Sequence, residues 1–229
     1  MTDGGIEDAV RRGDPDRWLA TRFIGDSRRR AEVICVYAFD LELARAPRVT
    51  SSPLTAEIRL AWWSEVLDEI FSGVPVRSHP VAQALSAVVR GHDLARAPLD
   101  AMIEGRRARL FTSSLDGSGA LTWADDVAGS TAFLAARILD CDAPEEPVRL
   151  AGRVFGLALL MKLGILSPDI GAPLVIDSLN AANRQLGTLR ARAFPAVAAA
   201  TLARRGQKAG ASEVSRRLRL VWAAARGRI

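Results

Sequence analysis

Cysteine, histidine, lysine and tyrosine are all scarce in this 229-residue chain, and the first three scarcities narrow what it can do. The two cysteines, Cys35 and Cys141, stand far apart in no metal-ligand spacing, so the chain encodes neither a disulfide framework nor a cysteine zinc site. Both lie in apolar runs and read as buried free thiols. His79 and His92 are the only histidines, and each stands beside a predicted helix boundary. Capping or plain exposure explains them better than metal or acid–base duty. No segment alternates apolar and polar residues long enough for a strand. The longest apolar run, 154–166, is broken by Lys162 and falls short of the ~20 residues that span a bilayer. The acidic start MTDGGIEDAV has neither the basic nor the apolar region of a signal peptide. The expected location is cytoplasmic, with peripheral attachment to the inner face of the cytoplasmic membrane left open.

What the chain does have is helix-forming alanine, leucine and arginine, with 49% hydrophobic and 25% charged residues. Net charge is +5, and because Lys162 and Lys208 are the only lysines, the basic character is that of arginine. Such a balance favours acidic partners; nucleic acid has no motif beyond charge and is set aside. Prolines at Pro15, Pro53, Pro80, Pro147 and Pro195 stand where a first helical turn tolerates them. Helices are predicted near 14–23, 27–46, 53–72, 80–91, 98–111, 120–139, 147–166, 172–187, 195–205 and 212–226. The expected fold is all-α, one domain over 1–229, with 1–13 open to disorder and 206–229 forming a basic C-terminal helix. In 53–72 an apolar stripe of Ile58, Trp62, Val66 or Leu67 and Ile70 puts Trp62 in the core and Trp63 against a neighbouring helix or an interface. The small residues Ala128, Gly129 and Ser130 allow either close helix packing or a void for a ligand. In the tail, Val214, Leu218, Val221, Trp222 and Ala225 form a stripe flanked by arginines. Trp222 with Arg216, Arg217 and Arg219 would face a membrane, or the helix would pack and leave its arginines solvated.

Several blocks, in this order, resemble the squalene/phytoene synthase family. They are RFIGDSRRRAEVICVYAFDLELARAPR (22–48), EIRLAWWSEVLDEIFSG (57–73) with HPVAQAL (79–85), MIEGRRARL (102–110) with DVAGSTAFLAARIL (126–139), and more weakly GRVFGLALLMKL (152–163). The resemblance covers roughly residues 15–165. It implies an isoprenoid synthase-like helical bundle around a central cavity, where two aspartate-rich motifs hold Mg²⁺ and Mg²⁺ holds a prenyl diphosphate.

The departures from that pattern are systematic. Ala44, Arg45 and Arg48 stand at the first motif's aspartates, Lys162 and Leu166 near the second, and Arg109 replaces an aspartate of the third block. Arginine is never a metal ligand and stays protonated. At 4 Å and an effective dielectric of 20 a unit pair interacts by about 4 kcal/mol, and a divalent ion doubles that repulsion. The expectation is therefore no catalytic residue, no metal site and no cofactor, with Mg²⁺ required only if the chain does condense prenyl diphosphates. Asp40 and Glu42 point about 200° apart on a helix, cannot share an ion, and read as surface or salt-bridged carboxylates. The run ELAR (42–45) resembles a non-catalytic branch of the family that includes the mitochondrial complex I assembly factor, with Asp40 where asparagine is usual. That likeness implies a binding or assembly role and a protein partner in respiratory complex biogenesis. Two alternatives stay open: an active head-to-head prenyltransferase, and a metal-independent binder of an anionic isoprenoid or phospholipid. For the last, the candidate cavity-lining residues are Arg45, Arg48, Arg106, Arg109 and Arg153, whose guanidinium forks suit phosphate.

Overall fold

The computed structural model describes residues 3–47, 52–203 and 213–229, and all regular structure among them is helical. The order is α1 (Asp3–Gly13), α2 (Pro15–Thr21), α3 (Ser27–Arg45), α4 (Pro53–Ser72), α5 (Pro80–His92) and α6 (Arg96–Ala108). Next comes α7 (Gly117–Trp123), which continues through a π-helical stretch, Ala124–Gly129, into α8 (Ser130–Leu139). Then follow α9 (Glu145–Lys162), α10 (Pro168–Gln185), α11 (Ala199–Ala203) and α12 (Glu213–Arg226). None of these helices is long and apolar enough to cross a membrane.

Residues 3–13 correct the expectation of disorder at the start. Ile6 and Val10, one turn apart, are buried against α3, and Gly13 lets the chain approach so closely that a Cβ would meet Leu41 at 3.0 Å. Asp14 then caps α2, accepting from Arg17 N–H at 3.0 Å, with Pro15 in the first turn. The predicted helix at 195–205 is also corrected. Pro195 lies in a 3₁₀ stretch, Ala191–Ala196, and the α-helix begins only at Ala199; Phe194 offers no capping oxygen. Cys35 is buried as expected, whereas Cys141 is exposed beyond the end of α8.

The centre of the bundle is the crossing of α9 with the π-helical stretch. A Cβ on Gly152 would lie 2.5 Å from Ala128 O and 2.7 Å from Gly129 Cα, and one on Gly156 would lie 2.9 Å from Ala128 Cβ. The small residues of this region therefore serve backbone-to-backbone packing. The π turn also brings two consecutive acids, Asp125 and Asp126, to the edge of the interior. Such stretches in α-helices frequently mark functional positions.

Candidate functional site

Asp40 sits on α3 one turn beyond Tyr37, so the two share a face, and both are buried. It is a 3%-exposed carboxylate, so of the two readings, surface or salt-bridged, the salt-bridged one holds. Arg17 from α2 donates to Oδ2 at 2.8 Å and Arg106 from α6 donates to Oδ1 at 2.6 Å. Arg17 also reaches Asp14 Oδ2 through Nε at 3.0 Å. Two carboxylates thus balance two guanidiniums, as burial of charge demands. Aromatic faces complete the enclosure: Arg17 lies 4.5 Å from the Phe155 ring centre and 5.4 Å from Tyr37, and Arg106 lies 5.0 Å from Trp123.

Burial alone would raise the Asp40 pKa, but Arg106 and Arg17 outweigh it and hold the carboxyl below the usual aspartate range. At Asp14 burial wins over the pull of Arg17, and the pKa is raised. Burial likewise pushes the Tyr37 hydroxyl up, keeping it protonated. Beside Arg17, Tyr37, Thr131 and Phe155 lies a cavity of about 10 Å³, room for one water. The Nε of Arg106 and the Nε1 of Trp123 are buried donors with no partner among the described residues.

The other arginines singled out in the sequence are dispersed. Arg153 grips Asp125 with a two-pronged fork, both bonds 2.7 Å. Arg45 is half exposed and pairs with Glu42 at 2.7 Å, one turn back on the same helix. Arg109, the C-cap of α6, is half-buried and engaged in an interaction of its own. Arg48 lies outside the described residues, as do the side chains of Arg216 and Arg217. Arg219 is half-buried and Trp222 is exposed on α12. On α4, Glu65 and Glu69 bind Arg77 and Asp68 binds Arg96, so these three acids are ion-paired. His92 pairs with Glu32 at 2.8 Å, and His79 packs edge-on against Trp62 and Trp63. The sequence reading missed Arg17, Asp125 and Trp123. The only signal was the paired acids of the ADDVAG run, which look like an ordinary polar helix turn.

Mg²⁺ asks for several oxygen ligands in near-octahedral array. Here both Asp40 oxygens accept from guanidiniums, Asp125 is consumed by Arg153, and burial together with Asp125 raises the pKa of Asp126. These residues do not fit the ion. Among the described residues one cluster brings three candidate ligand atoms within 4.8 Å: Asp140, Cys141 and Asp142. Asp140 there accepts from Arg192 at 2.7 Å and Arg190 at 3.1 Å, which again neutralises the acid.

No curated protein sequence matches the chain. Among solved structures, a dehydrosqualene synthase in complex with ligand superposes with a TM-score of 0.79 at 16% identity, covering 98% of this chain and 95% of that one. The squalene synthase HpnC from Alicyclobacillus acidocaldarius superposes with a TM-score of 0.70 at 15% identity, covering 98% and 94%. At such identities the likeness establishes the fold, isoprenoid synthase-like and all-α. The sequence profile for squalene/phytoene synthase matches residues 10–162, two thirds of the chain, and with it the protein belongs to the squalene/phytoene synthase family.

Proposed function

We propose that this member of the family binds and assembles rather than condenses prenyl diphosphates. The observation that carries the reading is the engagement of both Asp40 oxygens by Arg17 and Arg106. A carboxylate so paired has its charge compensated by two guanidiniums, and those same guanidiniums repel a divalent ion. Arg45, a turn further along α3, adds positive charge where the family's first motif is acidic. Without the ion, a leaving diphosphate loses the charge neutralisation that makes its departure feasible. The ELAR run supports a place for the protein in respiratory complex I biogenesis, acting through a protein partner.

Incubation with farnesyl or geranylgeranyl diphosphate, with and without Mg²⁺, is expected to release pyrophosphate at the protein-free rate in both cases. Deletion of the gene is expected to lower assembled complex I. Mg²⁺-dependent turnover would overturn the non-catalytic reading, and unchanged complex I would remove the assembly role.

A further inference from the structure

α12 rests on α11 through Leu220 and Ala223, both buried. Its other apolar flank is open: Leu218, Val221 and Trp222 are 64%, 50% and 60% exposed, at the spacing of one helical stripe. The stripe borders a groove of about 630 Å³ that reaches Thr201 of α11 and Asn183 of α10. One end is fixed, because the Asn183 amide accepts from Ile229 N–H at 3.0 Å and donates to Ile229 O at 3.1 Å. Inside, the Thr201 hydroxyl is buried with no partner among the described residues. Arg219, Arg226 and Arg228 complete the lining, and the Arg226 guanidinium lies 3.2 Å over the Trp222 ring. An apolar trough edged by cations and an exposed indole matches the chemistry of an anionic amphiphile.

We propose that this groove docks the protein on an anionic phospholipid bilayer, taking one acyl chain between α12 and α11 while the guanidiniums meet its phosphate. The volume lies within the roughly 300–1,000 Å³ of ordinary ligand clefts. Charge supports the choice of occupant. Glu213 is the only acid on α12 and stands at its far end, whereas three arginines line the groove. Each cation near an anionic leaflet strengthens binding about fivefold. The interaction is independent of whether the chain turns over prenyl diphosphates.

The test is flotation of the full chain with vesicles of phosphatidylcholine alone and of phosphatidylcholine mixed with phosphatidylglycerol. Flotation is expected only with the mixed vesicles, weakened by salt. Trp222→Glu should lower partitioning about tenfold and Arg226→Glu about fivefold or more, with melting temperatures unchanged because both side chains are exposed. Leu218→Glu carries the same test if the tryptophan variant folds poorly. Excess inorganic phosphate should leave flotation intact; displacement by it would mean a free-anion site and overturn the proposal. Equal flotation on both vesicle types, none on either, or variants that float like the parent would also overturn it, leaving the groove to residues 204–212 or to a protein partner.

Discussion

Asp40→Ala is expected to destabilise the protein by about 3–5 kcal/mol, the cost of leaving buried guanidiniums without their counter-charge. Arg17 would keep Asp14, but Arg106 would lose its one ion-pair partner among the described residues and be left against the Trp123 ring. Chemical denaturation measures the change. Replacing Asp40, Arg17 and Arg106 together by leucine and two methionines, with Asp14→Asn to keep the cap without a buried charge, should cost far less, or nothing, because desolvation of the group disappears with the attraction. That contrast separates a quenched structural charge from a site held at a stability cost for chemistry.

The pH dependence follows from the directions of the shifts. Asp40 has a folded pKa below its unfolded value of ~3.9, so its contribution is present above that value and is lost as pH falls through the folded pKa. Asp14 is shifted upward, so stability from it declines as pH rises above the unfolded value. The acid limb is therefore shared by Asp40 with Glu69, Asp116 and Asp140, whose pKa values are also lowered, and Asp40→Asn should flatten it in part below about pH 4.

Trp63→Ala should cost about 3–5 kcal/mol, and Trp62→Ala roughly half of that or less. Trp63 is buried, with its ring centre 5.2 Å from Phe39, 4.9 Å from Trp62 and 5.2 Å from His79, all edge-on. Trp62 is only partly covered, and Arg77 lies over its outer side at 5.1 Å. Urea denaturation of the two variants side by side reads the difference; equal losses would contradict this packing.

The same pair shows where sequence reading stops. The ends of α4 were legible, from Pro53 in the first turn to Gly73, which takes the left-handed conformation after the last turn. Its buried face was legible only in part: Val66, Leu67 and Ile70 of the expected stripe are buried, Ile58 and Trp62 are not. Leu54, Ile58 and Trp62 make one apolar stripe, and Leu60, Trp63, Leu67 and Ile70 make another about 160° away. The second faces the core, and Ile58 is 63% exposed. Periodicity finds both stripes; only contact with α6 chooses between them. α1 was missed because Gly4 and Gly5 weaken local propensity, while Ile6 and Val10 gain their helix from packing on α3. A salt bridge at Asp40 was among the readings, but its burial and its partners, 23 and 66 residues away, lie beyond any local pattern. The need for small residues at 128–130 was legible, and the glycines of α9 that pack on them settled close approach over a void.

Paramagnetic broadening by Mn²⁺, which takes the same oxygen ligands as Mg²⁺, probes the Asp40 centre most directly. Titrated with inorganic pyrophosphate present, the ion should leave the side-chain resonances of Arg17 and Arg106 sharp and the Asp40–guanidinium bonds intact. Saturable broadening at those two arginines, centred on Asp40 or Asp125, would place a divalent ion in the pocket and contradict the account.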